Sequence, residues 1–341
     1  MRAEGSPEPE VAMTPVLSVR NLKVEFPTRR GTLTAIDDVS FDIAPGEVLG
    51  VVGESGAGKS NTGTAVIGLI EPPGRIAGGE VLLRGSRIDN LPPEAMRKIR
   101  GKRIGMVFQD PLTSLNPLYR IGEQLIETIT THTNLSNTQA RQKALSLLNE
   151  VGIPAPEMRI DAYPHQFSGG MRQRVVLALA LAAEPELVIA DEPTTALDVS
   201  VQAQIIALLK RLCRQHGAAV MLITHDMGVI AETADRVAVM YAGRIVEVGP
   251  VRDVIKQPLH PYTKGLMGSI PSLTGEAERL VQIPGSMPRL TAIPSGCAFH
   301  PRCPRAFVPC PTFRPELQPE STSQVACWLY HPFPVTAGIA S

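Results

Sequence analysis

Val48-Leu49-Gly50-Val51-Val52, then Gly53-Glu54-Ser55-Gly56-Ala57-Gly58-Lys59-Ser60, is the stretch that decides the fold. The five apolar residues read as a strand, and a helical run over 61–70 follows the loop. Between them, residues 53–60 satisfy G-x-x-x-x-G-K-[ST] in the strand-then-helix setting the motif requires. Glycines at 53, 56 and 58 let the backbone turn tightly, so that successive N–H groups face phosphate oxygens. The helix that follows adds the positive end of its dipole. Lys59 is then placed to neutralise β- and γ-phosphate charge, and the Ser60 hydroxyl to ligate Mg²⁺. The bland alternative is a Gly-rich turn that binds nothing. The pattern arises by chance in roughly one chain in a hundred of this length, and the flanking strand and helix favour the nucleotide reading.

Further along, 104–108, 187–190 and 220–223 are short Val/Ile/Leu-rich runs separated by helical patterns at 139–150 and 171–183. Such near-continuous apolar strands suit a parallel sheet buried on both faces, an α/β fold. The 187–190 strand runs into Asp191-Glu192, and 220–223 runs into Thr224-His225-Asp226. Parallel strands deliver their carboxyl ends to one edge, beside the phosphate loop. There Asp191 can hold Mg²⁺, Glu192 can polarise a water for in-line attack, and His225 can sense the γ-phosphate or orient that water. Each acid or His alone would read as a solvated end of a strand; their convergence with Lys59 makes coincidence the weaker account.

Composition narrows the class. The 341 residues are 43% hydrophobic and 4% aromatic, with Lys+Arg 33 against Asp+Glu 33. Zero formal charge argues against a protein that coats nucleic acid, and so few rings argue against a stacking platform for single strands. The longest apolar run, 175–183, is far short of the ~20 residues of a spanning helix. Residues 1–15 read as a disordered tail with no export signal, so a cytoplasmic location is expected. Five cations, Arg97, Lys98, Arg100, Lys102 and Arg103, read as a solvated face rather than an anionic-partner site.

Ser168-Gly169-Gly170 before an apolar helix is a second anion-binding helix start, without a lysine of its own. One chain therefore carries two half-sites for phosphate, which two chains arranged head to tail would complete. Here the sequence resembles the ATPase subunit of ATP-binding cassette (ABC) transporters. Phe167-Ser168-Gly169-Gly170-Met171 stands where the family has a signature close to L-S-G-G-Q, with Met171 departing from the family's Gln. By the resemblance, Gln109 is the Q-loop residue that links Mg²⁺ and the attacking water to the membrane partner. Ala196-Leu197-Asp198 matches the D-loop at a dimer interface, His225 the switch histidine, and Phe26 the ring that stacks on adenine. A Phe ending a β-like run is as readily a core residue. The resemblance covers about 16–250 and implies a P-loop (RecA-like) core with a helical subdomain inserted at about 110–167.

After residue 250 the chain is Pro- and Cys-rich: 251–341 reads as an irregular extension. His260-Pro261-Tyr262 resembles the segment that follows the cassette in oligopeptide and dipeptide importer ATPases, and 110–117 carries the same subfamily's wording. H-P-Y in isolation would read as a surface turn. Cys297, Cys303, Cys310 and Cys327 lie in the extension at C-x5-C-x6-C-x16-C spacing, with no C-x2-C pair of the common zinc ribbon. A cluster, free thiols or zinc all remain open on spacing; the resemblance favours a [4Fe–4S] cluster on these four. Cys213, among Leu208, Leu209 and Leu212, reads as a packed core thiol.

The resemblance implies an ATP- and Mg²⁺-dependent ATPase at the cytoplasmic face of the inner membrane, powering di- or oligopeptide uptake. Its implied partners are a second, non-identical ATPase, two transmembrane permease subunits and, through them, an extracytoplasmic substrate-binding protein, with no nucleic acid. Cargo could equally be nickel or another small solute. The rival class is a soluble ABC ATPase acting on DNA or the ribosome, but those carry two cassettes or a long insertion that this chain lacks.

Overall fold

Strand Val48–Val52 lies inside an eight-stranded sheet in the computed structural model, which describes residues 14–194, 198–268 and 283–333. Five strands of that sheet are parallel, in spatial order Ile104–Val107, Leu187–Asp191, Ala219–Thr224, Val48–Val52 and Arg236–Tyr241. The sequence order of these strands differs from their spatial order, so the chain crosses over between them and brings four loop-bearing carboxyl ends together. Val48–Val52, Leu187–Asp191 and Ala219–Thr224 are buried at every position, which is why their sequences are apolar up to the terminal Asp191 and Thr224 rather than alternating.

The pleat still sorts their side chains between two cores. Val52, Ala190, Leu222 and Val239 face a helical layer that includes Leu125, Ile129, Leu177 and Leu209. Val51, Ile189, Ile223 and Met240 face the opposite way, against Leu17, Val24, Phe41 and Val81. These last residues belong to a four-stranded antiparallel sheet, Gly31–Ile43, Leu17–Thr28, Arg75–Leu83 and Ser86–Arg87, which the sequence reading did not anticipate. Leu17–Thr28 alternates buried and half-buried positions at its start, the period-two signature of a strand with one partly wet face.

Between Gln109 and Ser168 the chain forms only helices and turns, chiefly Ile121–His132 and Asn137–Glu150. Ser136 caps the latter by accepting from the Gln139 N–H while Gln139 reaches back. The helix after the phosphate loop is Lys59–Val66, shorter than the 61–70 reading and shifted two residues earlier. Gly68 at φ +63° and the Pro72-Pro73 pair end it. Arg100 donates to the Ile67 and Gly68 carbonyls at this helix end, and Arg103 pairs with Glu186 at 2.6 Å. Two of the five clustered cations are thus structural.

Among the described residues beyond 250 most are coil, but two short strands join the eight-stranded sheet. Ser323–Val325 pairs antiparallel with Arg244–Pro250, and Gln318–Glu320 pairs with Ser323–Val325. Among the described residues, no helix is long and apolar enough to cross a membrane.

Candidate functional site

The phosphate loop wraps around the Lys59 side chain, which is 5% exposed. Its Nζ donates to the carbonyls of Gly53 (2.8 Å) and Glu54 (3.1 Å), so the ammonium is held at the mouth of the loop. Gly53 sits at φ +154°, and a Cβ there would overlap the Met240 carbonyl oxygen, so only glycine lets this loop leave its strand. Burial holds the Lys59 ammonium below its ordinary pKa, an effect the carboxylates of Glu192, Asp191 and Glu54 oppose.

Strand order brings the predicted acids to this loop. The Ser60 hydroxyl donates to Asp191 Oδ1 at 3.0 Å. A hydroxyl and a carboxylate so close make a hard-oxygen pair that suits Mg²⁺. Asp191 is buried, which pushes its carboxyl above the usual range; Glu192 adds to this and the Ser60 hydrogen bond opposes it. Glu192 follows at φ +43°, a region uncommon for residues other than glycine. Its Oε2 accepts from Gln109 Nε2 at 3.1 Å, and its Oε1 lies 3.3 Å from His225 Nδ1. Gln109, Glu192 and His225 come from three different strand ends and line one cleft of about 880 Å³ with residues 53–56 and 58–61.

Other predicted residues lie elsewhere. Phe26 is half-buried, packed against the core on the antiparallel-sheet side and so near Gly74 that a Cβ there would come within 2.5 Å of its ring; it is not among the side chains lining the cleft. Ser168 caps helix Gly169–Leu181, its hydroxyl accepting from the Met171 N–H at 3.3 Å, and Ser168, Gly169 and Gly170 are also outside the cleft. Asp198 precedes helix Val199–His216 and is exposed. Ala196 and Leu197 fall outside the described residues.

The His-Pro-Tyr segment opens helix Pro261–Gly268 and is no surface feature. His260 and Tyr262 are 1% and 0% exposed. Fully buried Glu247 accepts from the Leu259 and His260 N–H groups, each at 2.9 Å, and the Tyr262 N–H donates to His260 Nδ1. The Tyr262 hydroxyl in turn accepts from the Glu54 N–H of the phosphate loop at 2.8 Å. Burial drives the His260 imidazole down to about 3, so it stays neutral and keeps Nδ1 as an acceptor. H-P-Y spacing carries no signal for this; only the adjacency of residues 208 apart reveals it.

Cys297, Cys303, Cys310 and Cys327 line one small cavity with His260 and His300. Burial pushes the Cys297 thiol up to about 12 and Cys327 up to about 11, with the neighbouring cysteines adding to both. Among the described residues, no three His, Cys, Asp or Glu side chains are grouped to hold a metal ion.

A phosphate loop, a hydroxyl–carboxylate pair and a second carboxylate held by Gln109 and His225, at the ends of parallel strands, define a phosphate-loop nucleotide hydrolase. Residues 36–195 match the family described as ABC transporter, and 246–310 match the oligopeptide/dipeptide transporter C-terminal region. The chain is 50% identical to the dipeptide transport ATP-binding protein DppD of Bacillus subtilis, over 93% of this chain and 95% of that one. It is 49% identical to the oligopeptide transport ATP-binding protein OppD of Escherichia coli, covering 88% and 89%. Among solved structures, the ATP-binding cassette MJ0796, a dimer bound to ADP and Pi, superposes at TM-score 0.62 with 29% identity, over 69% of this chain and 99% of that one. The chain belongs to the ABC transporter family of ATPases.

Proposed function

We propose that this chain is one ATP-hydrolysing subunit of a membrane importer of di- and oligopeptides. The observation that carries this reading is a phosphate-loop cleft joined to a C-terminal region of the oligopeptide/dipeptide transporter type in one chain. The names of the similar proteins, which are dipeptide and oligopeptide transport ATP-binding proteins, support the cargo class.

In the proposed cycle Gly53 to Ser60 cradle the triphosphate, and Lys59 neutralises its terminal phosphates. Mg²⁺, when bound, offsets charge on the β- and γ-oxygens, with Ser60, Asp191 and Gln109 as the residues to hold it. Glu192 takes the proton of the attacking water, while His225 holds Glu192 and the γ-phosphate in register. Phe26 contributes base stacking. Ser168, Gly169 and Gly170 lie away from their own chain's cleft, which supports their acting on nucleotide held by a second ATPase, with Asp198 at that interface. That second ATPase is proposed to be non-identical. Two permease subunits receive the motion through Gln109, and an extracytoplasmic binding protein delivers cargo to them, placing this subunit at the cytoplasmic face of the membrane. The division into a cassette over 16–250, with its helical subdomain at 110–167, and an extension over 251–341 is part of the same proposal.

The four extension cysteines are proposed to hold a [4Fe–4S] cluster. Each thiolate of such a cluster binds its own iron, so the four need to face one cavity rather than meet at one ion, and all four line the same one. An anaerobic preparation should contain iron and absorb broadly in the visible; absence of both rejects the cluster.

Recovery of the tagged subunit from its native cell in mild detergent tests the assembly. Two polytopic membrane proteins and a second ATPase are the expected partners, and loss of peptide uptake on deletion is the expected phenotype. Normal peptide uptake with lost uptake of nickel or another solute would move the cargo; ribosomal or DNA-repair partners would end the importer reading.

A further inference from the structure

The nucleotide cleft is not made by the cassette alone. Met287, Pro288, Arg289 and Leu290, all from the extension, line it opposite the phosphate loop. Met287 reaches Gly56 closely enough that a Cβ on that glycine would lie 3.8 Å from the methionine Cγ. Met287 also packs on both apolar clusters, so the strap has a seat on the cassette.

One side chain ties the strap down. Arg302 is 8% exposed. Its Nε donates to the Pro284 carbonyl at 2.8 Å and Nη2 to that of Gly285 at 3.5 Å, both on the strap. Its Nη1 meets both carboxylate oxygens of Glu54, at 3.1 and 3.2 Å, and the Tyr241 hydroxyl at 3.4 Å. The guanidinium plane therefore joins strap and phosphate loop with one rigid fork, which a lysine could not reproduce. It also neutralises Glu54, whose carboxylate would otherwise repel a polyphosphate at the loop. Arg289, by contrast, is exposed at the cleft wall and forms no ion pair among the described residues. An unpaired cation lining the same cleft as a phosphate loop is in position to meet a phosphate oxygen.

We propose that the strap Ile283–Leu290 is a wall of the ATP site, with Arg302 as the positioning residue that fastens it to Glu54 and Arg289 as a second cation on the triphosphate. This rests on the phosphate-loop reading of residues 53–60. It gives the extension a direct part in nucleotide affinity, and it places the residue beside Cys303 in contact with the phosphate loop.

The test uses the full chain and MgATP titrations. Arg289→Ala should weaken ATP binding about tenfold, the scale of one partly solvated charge-assisted contact, and Arg289→Lys should restore it to within about threefold. Arg302→Lys should weaken binding about five- to tenfold and raise amide exchange across 283–290 in the ATP-bound state, with the thermal midpoint little changed. Arg289→Ala binding ATP like the parent overturns the contact, and so does exchange across 283–290 that MgATP leaves unaltered. Lys59→Ala separates the two readings. If it abolishes binding while Arg289→Ala does nothing, only the strap falls; if neither variant changes affinity, the phosphate-loop reading falls with it.

Discussion

Glu192→Gln isolates the proton-transfer step from the binding that precedes it. Glutamine keeps the shape of the side chain. Its amide oxygen can still accept from Gln109 Nε2, now 3.1 Å from Oε2, while its NH₂ takes the place of Oε1, now 3.3 Å from His225 Nδ1, and can donate there to an unprotonated ring nitrogen. The strained φ of +43° costs the same for either residue, so fold stability should change by less than about 0.5 kcal/mol. What is lost is the negative charge and, with it, the ability to take a proton from water. General-base catalysis is worth roughly 10²- to 10⁴-fold, or about 2.7 to 5.4 kcal/mol of barrier at 1.36 kcal/mol per decade. Removing one negative charge beside Lys59 and Asp191 should leave ATP affinity unchanged or slightly tighter. Single-turnover phosphate release with enzyme in excess, beside an ATP titration, reads both quantities; size-exclusion chromatography with ATP should show a trapped dimer. Turnover within threefold of the parent would refute the base assignment. A parallel loss of ATP binding would refute it too, because Glu192 would then be a binding group.

Other substitutions probe the parts around it. Lys59→Ala removes two carbonyl bonds and the cation at the loop mouth, so ATP affinity should fall at least about 30-fold, from charge-assisted contacts worth roughly 2 kcal/mol or more; unchanged affinity would contradict the loop's role. Glu247→Ala strands the buried Leu259 and His260 N–H groups and should destabilise the fold by about 2–5 kcal/mol, measured by denaturant unfolding. A loss under about 1 kcal/mol would show that the His-Pro-Tyr segment is held by something else. Cys213, 1% exposed with its thiol pushed up to about 12 by burial, should resist an aromatic disulfide reagent at pH 8 until the chain unfolds. Peptide mapping that finds it labelled in the folded protein would refute that.

How much could be read from residues alone follows the range of each interaction. The phosphate loop was legible because its chemistry is written in eight consecutive residues, and its strand and helix flank it directly. The carboxyl-end acids were legible because each ends an apolar run, and parallel pairing makes such ends converge. Leu17–Thr28 has a period-two pattern, yet the antiparallel sheet it seeds went unread because register shifts near Asn21 and Lys23 break the alternation. Helix ends moved by a few residues where Gly68 and the paired prolines overrode an apolar stretch.

The extension divides along the same line. Its proline content announced coil, a property of composition, while the spacing of its cysteines left a cluster, zinc and free thiols all open. That Tyr262 accepts a hydrogen bond from Glu54, that Arg302 grips the same residue, and that residues 287–290 wall the cleft were decided only by tertiary structure. Residues some two hundred or more positions apart meet there through a sheet that two late strands complete. A single sequence encodes such contacts in no local period or motif, because the free energy that selects them is the burial of surfaces that exist only once the chain has folded.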